Sequence, residues 1–261
     1  ELNPIKLNSQ IDYEINISTR DGIEKTSKIY NNGICDFYKL ETEKGFEIEI
    51  TAEHPLWILD KDGGMKWKPG EHMGVGEYVA INRDDNIFGN QTKINFQPAK
   101  NKTNKAREIK IPEFLTPELG LFMGLLTADG GLTIKNRIVY TQADNFLLEI
   151  YQNILEKLFG IRSGPIAKSG KSTIAKDIRV TSKILKDFLI NLDMKPIGAK
   201  YKIIPKSIRS ATPEIIKSFL RGLIRNDGYI SKNGMEITLA SEKLIKQLQI
   251  ILLNFGVISS I

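Results

Sequence analysis

The sequence predicts an α+β chain made of two different kinds of unit, and three observations carry that reading. Up to Phe88, apolar residues recur at every second position between turn pairs, the mark of short antiparallel strands. From residue 113 the apolar period lengthens toward that of a helix, and helices alternate with hairpins. Motifs in this second part also recur at a nearly constant offset. The expected architecture is an all-β domain over 1–88, a basic linker over 89–112, and a domain over 113–261 of two αββαββα repeats. Repeat 1 covers 113–210, and repeat 2, over 211–261, is truncated.

In the first domain, 13–18 and 46–51 alternate apolar and polar residues, and Asp21-Gly22 and Asn32-Gly33 are turn pairs. Short strands over 56–59 and 78–81 surround Asp62-Gly63-Gly64 and Gly74-Val75-Gly76. Cys35 falls inside an apparent strand. In the second domain, helices are predicted over 117–128, 145–159, 183–192, 213–224 and 242–255, several opened by Thr or Ser at the N-cap. Hairpin-like segments lie at 132–142, at 174–181 with a partner near 161–167, and at 229–240 around Asn233-Gly234.

Four anchors define the repeat. Thr116-Pro117-Glu118 recurs as Thr212-Pro213-Glu214, Gly124 as Gly222, Asp129-Gly130 as Asp227-Gly228, and Phe159-Gly160 as Phe255-Gly256. Chance reproduces one such motif easily, but not four in order. Two strands and a closing helix of the second copy are missing.

Charge separates the parts. The whole chain carries +6 with a pI near 9.1. Residues 1–88 hold 10 Lys and Arg against 17 Asp and Glu, whereas the remaining 173 residues hold 27 against 14. A polyanion surface therefore belongs to the linker and the second domain. The linker, with Lys100, Lys102, Lys105 and Arg107 among Asn, Gln and Pro, reads as an extended segment that can track phosphates. No run approaches the roughly 18 apolar residues of a membrane span. The lone cysteine excludes a multi-cysteine zinc site and makes an intracellular, cytoplasmic setting the expectation. A loop ending Gly170-Lys171-Ser172 has the wrong glycine spacing and context for a nucleotide-binding loop.

The chemistry centres on Gly124-Leu125-Leu126-Thr127-Ala128-Asp129-Gly130 and Gly222-Leu223-Ile224-Arg225-Asn226-Asp227-Gly228. In each, a glycine lets another backbone approach an apolar helix, and the helix ends in Asp before a Gly suited to the left-handed cap position. If the two helices pack together, both carboxylates meet beside two negative helix ends, and a divalent cation such as Mg²⁺ is the natural counter-ion.

These segments resemble the paired motifs of LAGLIDADG homing endonucleases over 122–130 and 220–228. Phe122, Met123, Thr127, Arg221, Arg225 and Asn226 depart from the pattern, while both terminal Asp-Gly pairs keep it. The resemblance implies a monomer with pseudo-twofold repeats that binds a long site on double-stranded DNA. It implies metal-assisted hydrolysis of both strands, with Asp129 and Asp227 as metal ligands. Thr133, Lys135, Arg179, Thr181, Ser231 and Lys232 would contact bases or phosphates from the hairpins. A basic residue before an Ile-Pro step in that family corresponds to Lys202, with Lys200 as the alternative, at the cleaved phosphate. A module that keeps the fold without cleaving, as a maturase-like factor would, is the other reading.

The first domain resembles the Hint-type splicing domain of inteins through Asn32-Gly33 and the run from Gly45 to Thr51-Ala52-Glu53-His54-Pro55-Leu56-Trp57. The resemblance implies that Thr51 and His54 polarise the upstream splice junction, with a host protein's flanking exteins as partner. Glu1 in place of a Cys or Ser nucleophile, and Ile261 in place of a His-Asn end, imply that splicing is incomplete or degenerate in this chain. An element that only splices is a third reading.

Overall fold

The computed structural model describes residues 5–20, 22–84, 86–98, 109–167, 174–232 and 234–261. Two compact units emerge, Glu1–Ile87 with Gln249–Ile261, and Phe88–Leu248.

The first unit is a set of short antiparallel strands, as the alternation predicts. They are β1 (Ser9–Asp12), β2 (Asn16–Thr19), β3 (Gly22–Lys25), β4 (Lys28–Asn31), β5 (Tyr38–Glu41), β6 (Glu47–Ile50), β7 (Pro55–Leu59), β8 (Met65–Pro69) and β9 (Tyr78–Val79). β1 pairs with β4, β2 with β3 and β5 with β6, while β7 lies between β8 and β9. In the β2–β3 pair, Thr19 lies opposite Gly22. A small core of Ile50, Leu56 and Ile58, flanked by Leu40, Met73 and Val79, holds the later strands together. Cys35 is exposed and lies in irregular chain between β4 and β5, where no strand among the described residues pairs with it to form a ladder.

The last residues of the chain, read from sequence as part of the second repeat, group with this unit. The Gln249 side chain donates to the carbonyls of Lys44 and Ser259 at 2.8 and 3.2 Å, and the Ile261 amide donates to Lys44 at 3.1 Å. Asn254 brackets Ile87 from both sides, accepting from its amide and donating to its carbonyl.

The second unit opens with an extended arm. Leu115 donates to the Thr92 carbonyl and Ile94 to that of Glu113, and Phe96 meets Phe188 edge-on at 5.5 Å. Phe96 supplies an apolar anchor that the polar composition of the segment conceals. The elements that follow are α1 (Pro117–Asp129), β10 (Gly130–Gly131), β11 (Arg137–Gln142), α2 (Asn145–Phe159), β12 (Ile166–Ala167), β13 (Lys176–Thr181) and α3 (Lys183–Asn191). After a four-residue α4 (Lys206–Arg209) come α5 (Pro213–Asp227), β14 (Gly228–Ser231), β15 (Gly234–Ile237) and α6 (Glu242–Asn254).

Capping residues set the helix starts. The Thr116, Asp144 and Ser182 side chains accept from the amides of Leu119, Phe146 and Leu185, each satisfying a donor that the helix leaves open. Gly160 ends α2 in the left-handed conformation at φ 68°. Four strands form an antiparallel sheet in the order β10-β11-β13-β12, and β14 and β15 form a separate hairpin. Ile138, Tyr140, Ile178 and Val180 are the buried apolar members of the two central strands. By strand parity the opposite face carries Arg137, Val139, Thr141, Asp177, Arg179 and Thr181. The rings of Phe122, Tyr151 and Tyr140 stack in series, 4.9 and 4.3 Å apart.

Candidate active site

α1 is buried almost all round, from Leu119 through Thr127, and its partner is α5. The approach is closest at the glycines. A Cβ on Gly124 would sit 2.1 Å from the Phe219 carbonyl oxygen, and one on Gly222 would sit 2.5 Å from that of Leu121. Gly120 makes a third such point, 2.8 Å from the Ile215 carbonyl. Any side chain there would force the helices apart. The packed pair brings its two C-terminal ends to one place, and each ends in an aspartate.

Both caps depart from the left-handed expectation. Gly130 and Gly228 are extended, at φ −104° and −85°, because the chain passes straight from each helix into a strand. Glycine is needed there for space. An added Cβ would lie about 2.5 Å from the Leu126 carbonyl at Gly130 and 2.4 Å from the Ile224 carbonyl at Gly228.

The two carboxylates differ in surroundings. Gln142, at the end of β11, donates to Asp129 Oδ2 at 3.1 Å and to Asn226 Oδ1 at 2.8 Å, linking the first repeat's aspartate to the second repeat's helix. Asn226 also accepts from the Tyr140 hydroxyl and donates to the Gly222 carbonyl. The Asp227 carboxyl is pushed up to about 6, chiefly by burial and then by the negative charge of Asp129, with Lys202 opposing the rise.

Lys202 reaches the same place. Its Nζ donates to the carbonyls of Thr127, Ala128 and Gly130 at 2.7, 3.0 and 2.9 Å, so all three ammonium donors close off the negative end of α1. Burial lowers its pKa, and the two aspartates hold it up. Its own carbonyl accepts from Ser241, which caps α6 at Leu244. Lys200, the alternative, is exposed in a turn beside it.

Residues 116–192 and 214–261 match the family model of the LAGLIDADG-like domain. They form a LAGLIDADG-like domain. Over nearly the whole chain, a replication factor C small subunit of Methanocaldococcus jannaschii is 29% identical, covering 89% of this chain and 11% of that protein. A subunit of the A-type ATP synthase of Pyrococcus abyssi is 27% identical, covering 89% and 23%. A subunit of the DNA gyrase of Mycobacterium leprae is 25% identical, covering 88% and 17%. The chain thus spans about a quarter or less of each of these relatives. Among solved structures, mesophilic variants of the homing endonuclease I-DmoI are 22% identical with a TM-score of 0.41, covering 54% of this chain and 78% of that one. I-DmoI in complex with DNA and Mn is 21% identical at 0.42, covering 54% and 79%.

In the LAGLIDADG-like domain the other sequence-predicted residues scatter around this centre. Thr133 and Lys135 are exposed in the loop between β10 and β11, Arg179 and Thr181 lie on β13, and Ser231 ends β14, with exposed Lys232 after it. Lys100, Lys102, Lys105 and Arg107 lie outside the described residues, as do Asn233 and the loop ending Gly170-Lys171-Ser172. Thr51 and His54 belong to the first unit. There the His54 amide donates to the Thr51 carbonyl across a turn, and Gly70 and Glu71 donate to His54 and Ala52 to pin it. Both side chains are exposed.

Sequence reasoning missed Gln142 and Tyr140. The signal was present, since Ile138, Tyr140 and Gln142 share one strand parity and the stripe turns polar only at its end. It also missed exposed Lys217, Arg221 and Arg225, which recur every fourth residue along α5 toward Asp227.

Proposed function

We propose that the second unit is an endonuclease that hydrolyses both strands of duplex DNA, and that the chain as a whole is an intein that carries it. The observation that supports the nuclease best is the pair of aspartates gathered at the ends of two glycine-packed helices. Among the described residues no three His, Cys, Asp or Glu cluster as a metal site. The donors at hand are therefore two carboxylates and backbone carbonyls, all hard oxygens. That set suits Mg²⁺, which keeps waters and takes phosphate oxygens to complete its shell. The Asp227 carboxyl is raised chiefly by burial and next by the charge of Asp129, so the two carboxylates act on one another there. Asp129 and Asp227 would hold such an ion, whose chemistry there would be Lewis-acid polarisation of phosphate and activation of water.

The protein's own groups prepare that place. Gln142 orients the Asp129 carboxylate, and Lys202 fixes the helix end from which Asp129 projects. Arg221 and Arg225 on α5, and Thr133, Lys135 and Lys232 on the hairpins, offer contacts for the DNA backbone.

The intein reading rests on the matches. One segment of this length recurs inside proteins named for replication, ATP synthesis and DNA topology, and accounts for about a quarter or less of each. A mobile insert explains that distribution better than a shared activity. In this reading Thr51 and His54 act on the upstream junction with the host polypeptide.

Incubation of the protein with duplex DNA from an uninterrupted host allele, with Mg²⁺, tests the nuclease. Cleavage by the wild type, with binding but no cleavage by Asp129→Asn and Asp227→Asn, is the expected result. Unchanged cleavage by both variants would refute the site, and binding without cleavage by the wild type would favour the silent module.

A further inference from the structure

The face of the four-stranded sheet opposite the apolar stripe holds an acidic residue, which a surface for polyanions should lack. Asp177 is only 5% exposed although it points away from the buried stripe of Ile178 and Val180. Its carboxylate is held on both oxygens. The Thr141 hydroxyl, directly across the ladder, donates to Oδ1 at 2.7 Å. Arg179, two residues along the same strand and therefore on the same face, donates to Oδ2 from Nε at 3.1 Å and from Nη2 at 2.7 Å.

From this geometry we infer that Arg179 reads a guanine in the bound duplex and that Asp177, with Thr141, is the positioning residue that aims its guanidinium. The inference rests on the DNA-binding reading above. A residue that merely grips phosphate gains nothing from a buried carboxylate beside it, since the carboxylate cancels its charge and repels the backbone. A lysine alone would do that work. A residue that reads a base edge does gain. Guanine offers two acceptors, O6 and N7, in fixed geometry, and a guanidinium discriminates only if its plane is held toward them. The Asp177 clamp supplies that restraint from the strand side. The strand itself is anchored where the Ser163 hydroxyl donates to the Arg179 carbonyl at 3.0 Å. The Arg179 side chain remains 30% exposed.

The test is selection by the full chain from a library of duplexes with a randomised core, without added divalent metal so that no strand is cut. The wild type should enrich guanine at one position. Asp177→Asn and Arg179→Lys should lose that preference by roughly 5- to 150-fold while preferences at other positions persist. Thr141→Val should lose part of it. Retained guanine preference in both Asp177→Asn and Arg179→Lys would overturn the inference. So would an equal loss at all positions accompanied by a lower melting temperature, which would mark Asp177 as a folding residue only. If the wild type enriches no sequence, DNA recognition itself fails, and this inference falls with it.

Discussion

Asp227→Asn is expected to remove cleavage and yet stabilise the metal-free protein. In the native fold the Asp227 carboxyl sits at about 6 instead of 3.8, through burial first and Asp129 second. At 1.36 kcal/mol per tenfold change, ionising it in the folded state costs about 3 kcal/mol. The residue is only half-buried, so solvent screening reduces this to about 1–1.5 kcal/mol. The sign follows from proton uptake. Between pH 4 and 6 the native state holds more protons than the unfolded chain, so stability falls as pH rises through that window and stays lower above it. Asparagine carries no such cost. Urea unfolding followed by far-UV circular dichroism reports the second unit, which contains most of the helix. In EDTA the variant should exceed the wild type by about 1–1.5 kcal/mol at pH 8 and match it near pH 4. Equal or lower stability at pH 8, or the same gain at both pH values, would refute the reasoning.

Three further perturbations probe the same region. Gly124→Ala places a methyl 2.1 Å from a backbone oxygen of α5, and a loss of about 1–3 kcal/mol in urea unfolding is expected as the helices move apart. The Tyr151 hydroxyl is buried with no hydrogen-bond partner among the described residues, so Tyr151→Phe should leave stability unchanged or raise it by about 1 kcal/mol in thermal unfolding. Lys202→Met removes three bonds to carbonyls and the cation that opposes the rise at Asp227. It should destabilise by about 2 kcal/mol, and the Asp227 carboxyl carbon resonance should titrate above 6.

Much of the second unit was readable from sequence because its signals are local. Thr116, Asp144 and Ser182 satisfy helix amides within three residues, and the predicted range 145–159 is the observed α2. The α5 helix runs three residues past the apolar range 213–224, through Asp227, because polar Arg225 and Asn226 interrupt the apolar pattern without interrupting the helix. The linker shows the opposite limit. Its polar composition concealed the apolar anchor Phe96, whose partner Phe188 lies far along the chain. Extended Gly130 and Gly228 likewise follow from the strands into which they lead, which no cap rule encodes.

By itself, then, the sequence of this protein determined the order of its elements, the duplication, and the identity of two aspartates at helix ends, since periodicity, capping and repetition are properties of neighbouring residues. Tertiary structure alone decided how the two ends meet. Glycine-to-carbonyl packing, the reach of Gln142 across to Asn226, the three carbonyls around Lys202 and the clamp of Asp177 on Arg179 join residues from different elements. Hydrogen bonds act only within about 3.5 Å and charges in salt solution only within about 10 Å, so only a fold that brings those groups together makes them act on one another.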